Sequence, residues 1–165
     1  MAKVVGIGKQ RFDKIIENDC FYIDKTMFIK EWWENQDDVT LITRPRRFGK
    51  TLNMDMLKCF FSVEYKDRGE LFEGLDIWKE KKYREIQGTY PVIFMSFAGI
   101  KSHTFRDAKN DMVAIINETY KSHAYLLESD ILSEAEKNFF KKLDEYSKDI
   151  NANKNISSET IYRAI

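Results

Sequence analysis

The sequence predicts an α/β fold with parallel strands, and three observations support this prediction. Residues 39–43 form a short apolar run that is typical of a strand buried on both faces. Residues 92–97 form a second such run, which Pro91 introduces. Apolar residues recur at helical spacing in residues 52–61 and again in residues 104–127. Strands that alternate with helices indicate a sheet covered by helices.

The N-terminal residues 1–38 are predicted to form a helical leader that packs against a core of residues 39–165. Apolar residues at helical spacing predict two short helices, over residues 10–18 and 26–35, around an extended segment. At 165 residues with 43% hydrophobic content, the chain can form one core, and nothing indicates a second domain.

Two later helices have recognisable starts. Thr104 with Asp107, and Ser133 with Glu136, match the capping box, in which two side chains bond reciprocally to backbone N–H groups. They predict a long helix after residue 104 and another that runs to about Tyr146.

Residues 44–51, Arg-Pro-Arg-Arg-Phe-Gly-Lys-Thr, follow the first predicted strand and precede a predicted helix. This order is that of a phosphate-binding loop (P-loop), whose backbone N–H groups and helix dipole favour a phosphate. Lys50 would reach the β- and γ-phosphates of ATP, and Thr51 would ligate Mg²⁺. The alternative is a basic turn before an amphipathic helix. The predicted nucleotide-binding residues are Arg46, Arg47, Phe48, Gly49, Lys50, Thr51 and Leu52.

The loop departs from the usual P-loop pattern at its first position. Arg44 stands where the pattern has glycine, and Pro45 follows it. Because a residue before proline is pushed towards extended conformations, this loop must begin differently from a standard one.

Asp24, Lys25 and Thr26 form a second motif with two interpretations. In the first, the leader folds over the nucleotide and brings Asp24 or Lys25 near the base, ribose or phosphate. In the second, Asp24 and Thr26 cap the helix that follows them. The residues alone do not decide between the two.

Composition excludes several classes of protein. With 27 residues of each charge, there is no basic excess of the kind that attracts nucleic acid. Cys20 and Cys59 have no Cys-x-x-Cys partner, so we expect reduced, buried thiols and a cytoplasmic protein. His103 and His123 lack metal-ligand spacing, so we expect no metal site made by protein ligands alone. We also expect no membrane span.

Residues 41–52 resemble the P-loop of the AAA-ATPase-like family of prokaryotic proteins, in which an arginine-rich loop without the first glycine is the usual form. Residues 7–12, 22–30 and 90–97 also resemble that family, so the resemblance covers essentially the whole chain. It implies an ATP-binding module of an AAA-like or STAND-like ATPase, in which the nucleotide state regulates attached domains.

Members of that family usually continue with a Walker B strand that ends in acidic residues, and many carry a C-terminal PD-(D/E)XK nuclease-like domain. The second predicted strand ends in Ser96 and Phe97, which supply no carboxylate, so no catalytic residue is assigned. Two strands are too few for a stable sheet, and residues 157–162 look like the start of a helix. We therefore expect residues 1–165 to be the N-terminal part of a longer domain, truncated before Walker B.

The resemblance implies partners as well. They are a nucleotide and the C-terminal remainder of the same chain. Nucleic acid would be a partner only through an attached nuclease-like domain. The resemblance is also compatible with oligomerisation. The residues themselves leave two rival functions open. One is a P-loop kinase or transferase, and the other is a structural or interaction domain that binds no nucleotide.

Overall fold

The computed structural model describes residues 3–45 and 47–149, with side chains as far as residue 142. Arg46 and the predicted helix start at residues 157–162 lie outside the described residues. The chain divides into two compact units, Met1–Val92 and Ile93–Ile165.

The described residues form helices in both units. Those of the first unit are α1 (Phe12–Glu17), α2 (Met27–Asn35), α3 (Lys50–Phe61), α4 (Asp76–Lys79) and α5 (Lys81–Ile86), with 3₁₀ turns at Val63–Tyr65 and Gly69–Phe72. Those of the second unit are α6 (Phe105–Ser122) and α7 (Glu134–Asp149), with a 3₁₀ turn at Ala124–Glu128. In neither unit does the described part contain a helix long and apolar enough to cross a membrane.

The predicted α/β core with parallel strands is wrong, because residues 3–45 and 47–149 contain no sheet. Residues 39–43 are not part of a strand, and the side chain of Leu41 in this run is 81% exposed. Residues 92–97 likewise form no strand. The β-pairing seen in the described residues is an isolated parallel bridge between Ser62 and Tyr90. An apolar run favours extended backbone, but a strand also requires a neighbour for its N–H and C=O groups.

The core of the first unit is aromatic and is centred on α3. Phe60 of α3 is fully buried, and its ring centroid lies 5.1 Å from that of Phe72 in an edge-to-face contact. The ring of Phe12 from α1 stacks on Phe72, also at 5.1 Å. Burial of each such side chain stabilises the fold by about 1.5–3 kcal/mol. Packing of these rings therefore fixes α3 against α1 and the 3₁₀ turn Gly69–Phe72.

A buried carboxylate on α3 also holds the start of α1. Asp55 accepts a hydrogen bond from the backbone N–H of Phe12 at 2.6 Å, so it satisfies a first-turn donor that has no partner within its own helix. The thiol of Cys59 donates to the same oxygen at 3.8 Å. Burial raises the pKa of Asp55, and the bond from Phe12 offsets this only in part. Cys20 and Cys59 are both buried free thiols, as predicted.

Asp13 on α1 belongs to a second set of polar contacts in the first unit. Burial alone would raise the pKa of Asp13, but its bonds from Arg11 and from the backbone N–H of Lys14 outweigh burial and lower the pKa. Arg11 Nε donates to Asp13 Oδ1 at 3.1 Å, and the hydroxyl of Tyr65 donates to Asp13 Oδ2 at 3.3 Å. The contacts of Asp13 thus favour its charged form, whereas burial makes the charged form of Asp55 less favourable than in water.

The Asp24–Thr26 motif joins the starts of α2 and α4. Asp24 Oδ1 accepts from the N–H and the hydroxyl of Thr26 at 2.8 and 2.7 Å. Asp24 Oδ2 accepts from the N–H of Asp76 at 2.8 Å, and Thr26 Oγ1 accepts from the N–H of Ile77 at 3.1 Å. Two first-turn donors of α4 are therefore capped from a distant segment. The sequence suggested instead a cap on α2, the helix that follows the motif, and among the described residues α2 has no side-chain hydrogen bond at its N-cap.

The second unit pairs α6 with α7. Thr104 accepts from the N–H of Asp107 at 3.1 Å, and Ser133 accepts from the N–H of Glu136 at 3.4 Å. Both predicted helix starts are thus confirmed. The rings of Tyr120 and Phe140 meet edge to face at 4.9 Å, which joins the two helices.

Replacement of Asp55 by alanine should lower the free energy of unfolding by about 1–3 kcal/mol, because the buried N–H of Phe12 would lose its acceptor. Asp55→Asn keeps an acceptor and removes the buried charge, so it should cost less. A raised folded pKa means that the folded state binds the proton more tightly, so the parent should lose stability relative to Asp55→Asn as pH rises from about 4 to 7. Urea denaturation across this range measures both effects, and equal loss in the two variants would refute the capping role.

Thr26→Val should destabilise the first unit by about 1–3 kcal/mol, because it keeps the shape of the buried side chain and removes the acceptor for Ile77. The matched control is Lys25→Ala, whose exposed side chain should change stability by less than about 0.5 kcal/mol. Thermal unfolding of the two variants and the parent tests this. Equal stability of Thr26→Val and the parent would show that the bond contributes nothing.

Candidate functional site

The candidate site is the loop of residues 44–49 together with the first turn of α3. The loop turns where the N–H of Phe48 donates to the carbonyl oxygen of Pro45 at 3.3 Å. Arg47 and Gly49 then adopt left-handed backbone angles, with φ of 70° and 75°. Because glycine alone adopts this conformation freely, Gly49 suits the residue that leads into α3.

No side chain among the described residues caps the first turn of α3. Gly49 occupies the N-cap position, and the first hydrogen bond of the helix joins the N–H of Asn53 to the Gly49 carbonyl at 2.9 Å. The N–H groups of Thr51 and Leu52 have no acceptor among the described residues. With the positive end of the helix dipole, these donors suit a bound anion.

Lys50 folds back across the loop. Its ammonium donates to the carbonyl oxygens of Arg44 and Pro45, the second at an Nζ···O distance of 3.1 Å. The side chain thus lies along the loop. The positive charge is thus held at the carbonyl oxygens of the first two residues of the loop.

The remaining residues of the loop differ in exposure. Thr51 is exposed at the first turn of α3, so its hydroxyl is accessible to a cation. Phe48 is 62% exposed, and Arg47 is exposed as well. Leu52 is half-buried and packs against the aromatic core, so it anchors the helix. Arg46 lies outside the described residues.

Asp24 and Lys25 differ in what their side chains do. Both carboxylate oxygens of Asp24 accept backbone or hydroxyl hydrogen bonds. Burial would raise the pKa of Asp24, but these bonds outweigh burial and lower the pKa. Lys25 is exposed. These contacts favour a capping role for Asp24, and a nucleotide contact by either residue stays a prediction.

Sequence reasoning missed two features that support the site. The first is the bond from Lys50 to the loop carbonyls, which depends on the loop backbone and has no sequence signal. The second is Asp55, for which a signal existed. Asp55 stands three residues after Leu52 and four before Cys59, on the apolar face of α3, so a buried carboxylate with a partner was to be expected.

Two further features of the described residues bear on other kinds of site. No group of three or more metal-ligating side chains occurs in the described part of the chain. The second unit contains an apolar cavity of about 700 Å³ between α6 and α7, lined by residues that include Ile116, Leu132 and Phe139. Glu136 at its edge is engaged by Ser133.

The chain is similar to known proteins at the level of sequence. It is 36% identical over 109 residues to a protein of Azotobacter chroococcum mcd 1 described as an uncharacterized protein in the vnfD 5′ region. That match covers 66% of this chain and 19% of the relative, so the chain spans only a small part of the relative's length. No solved structure matches. A family model described as a predicted AAA-ATPase matches residues 6–161, and the chain therefore belongs to the AAA-ATPase-like family.

Proposed function

We propose that the chain is an ATP-binding P-loop module, in which residues 47–52 bind the phosphates. The observation that carries the proposal is the uncapped N-terminus of α3, where the N–H groups of Thr51 and Leu52 have no acceptor among the described residues. Membership of the AAA-ATPase-like family supports ATP as the nucleotide.

The charges of the loop suit a polyphosphate. Lys50 supplies a cation at the start of α3, and Arg47 supplies a second, exposed cation on the loop. A guanidinium forms paired hydrogen bonds with phosphate oxygens, whereas an ammonium acts as a point charge. Together with the helix dipole, these groups offset the negative charge of the nucleotide.

Thr51 would hold the Mg²⁺ that accompanies ATP. Its exposed hydroxyl is a hard oxygen donor, which is the kind of ligand that Mg²⁺ prefers, and one protein oxygen suffices when phosphates and water complete the shell. When bound, the ion neutralises charge on the phosphate oxygens. The residues present therefore suit Mg²⁺ that is bound together with the nucleotide. A site made wholly of protein ligands is not needed.

In the whole protein, we infer that the nucleotide state regulates attached domains, as in AAA-like or STAND-like ATPases. The relative from Azotobacter chroococcum extends well beyond the matched region, which leaves room for such domains in a protein of this kind. A nuclease-like domain is one candidate for the attached part.

Lys50→Ala should weaken ATP binding at least about tenfold, because the charge-assisted contact to the phosphates is lost. Fluorescence titration with a labelled ATP analogue in the presence of Mg²⁺ measures the affinity. Lys66→Ala is the matched control, since it removes an exposed lysine outside the loop and should leave affinity unchanged. Equal affinity of Lys50→Ala and the parent, or no binding by the parent, would refute the proposed function.

Thr51→Val should abolish the gain in ATP affinity that Mg²⁺ provides and leave affinity in EDTA unchanged, because it removes one hydroxyl and keeps the side-chain shape. Parallel titrations with Mg²⁺ and with EDTA test this. Thr43→Val is the control, since this exposed threonine precedes the loop. An undiminished Mg²⁺ effect in Thr51→Val would remove Thr51 from the metal site.

A further inference from the structure

The cavity between α6 and α7 has a mostly apolar wall. Its volume is about 700 Å³, which is within the range of pockets that hold small organic ligands. The wall includes apolar residues of both helices and of the segment between them, namely Ile116, Leu126, Leu132, Phe139 and Phe140. Because burial in such a wall removes apolar surface from water, the cavity suits the apolar body of a ligand.

Two polar side chains of α6 that line the cavity are bonded to their own helix. The hydroxyl of Thr119 donates to the carbonyl oxygen of Ile115 at 2.9 Å. The Nδ1 atom of His123 lies 2.8 Å from the carbonyl oxygen of Thr119, so this nitrogen carries the hydrogen of that bond. These two donors are therefore used within α6.

Glu136 of α7 places a carboxylate at the edge of the cavity. Its Oε2 atom accepts from the hydroxyl and the N–H of Ser133 at 2.7 and 2.8 Å, and these bonds lower the pKa of Glu136, so it is ionised at neutral pH. A carboxylate has about four acceptor positions, so capacity remains for a further donor.

The cations near this edge are engaged elsewhere or absent from the described wall. Lys137, the neighbour of Glu136, pairs with Glu134 at 3.9 Å. Among the described residues that line the cavity, none is a lysine or an arginine. The carboxylate of Glu136 therefore favours a ligand that brings its own positive charge.

We propose that this cavity binds a small organic amine, with the apolar body between α6 and α7 and the ammonium group at Glu136. The apolar wall holds the body, and the carboxylate selects a positive head group over a neutral one. A fatty acid would bring a second carboxylate beside Glu136 and is disfavoured. The described lining residues all belong to the second unit, whereas the proposed nucleotide-binding residues belong to the first.

Isothermal titration calorimetry with three probes at neutral pH tests the site. Phenylbutylamine, phenylbutanol and phenylbutyrate share one apolar body and differ in the charge of the head group. We expect the amine to bind about three- to fivefold more tightly than the alcohol, which is the size of an exposed charge pair, and the carboxylate to bind most weakly. Equal affinity for the three probes, or no binding of phenylbutylamine, would overturn the proposal.

Glu136→Gln should remove the preference for the amine and leave the affinity for the alcohol unchanged, because glutamine keeps the capping acceptor for Ser133. Glu134→Gln is the matched control, since it removes the same charge from the first turn of the same helix outside the described lining, and it should keep the preference. A preference that survives in Glu136→Gln, or that both variants lose equally, would contradict the role of Glu136.

Ala135→Phe should weaken binding of the amine and of the alcohol alike, because the added ring occupies part of the cavity. Ala135 is exposed, so the larger side chain should leave the helix pair folded. The same calorimetric titrations measure this variant. Unchanged affinity for both probes would show that they bind elsewhere and would overturn the site.

Discussion

The burial of one face of α3 is the constraint on which the first unit depends. Phe60 packs in the aromatic core with Phe72 and Phe12, while Asp55 on the same helix accepts the N–H of Phe12. Apolar packing alone would tolerate some rotation of α3 about its axis. The bond between the buried N–H and the buried carboxylate does not tolerate such rotation, because rotation would separate the two groups and leave each without a partner. The orientation of the first turn of α3, and with it that of Lys50, therefore follows from contacts more than one helical turn away.

The helices of the first unit differ in which groups accept hydrogen bonds from their first-turn N–H groups. The start of α1 is capped by Asp55, and that of α4 by Asp24 and Thr26, all from segments distant in sequence. The start of α3 has Gly49 at its N-cap and, in the part of the chain that the structure describes, receives no such side chain. A carboxylate there would satisfy the free N–H groups, but it would also repel a phosphate. An anion site at a helix N-terminus thus requires that the cap be left out, and the helix must take its stability from its buried face.

The sequence predicted a feature correctly when the residues that determine it lie close together in the chain. The start of α6 was predicted because Thr104 and Asp107 lie within one turn, and apolar spacing set the approximate extent of the helices. The strand at residues 39–43 was predicted wrongly, because an apolar run carries no information about a pairing partner. Within the candidate site, the motif predicted a helix from Leu52, and α3 begins two residues earlier, at Lys50. The bonds of its ammonium depended on the loop backbone, which no spacing rule describes.

The loop geometry also explains why arginine can stand where the usual P-loop pattern has glycine. Glycine is favoured where φ is positive and is needed where a side chain would collide. Among the described residues of this loop, Arg47 and Gly49 have positive φ angles and Arg44 does not. Arg44 instead contributes its carbonyl oxygen, which accepts from Lys50, and any residue has that group. Pro45 favours an extended Arg44 and lacks an N–H, so it accepts bonds without offering a donor. Gly49 is the glycine that the pattern places directly before the lysine, and its positive φ keeps the glycine needed there.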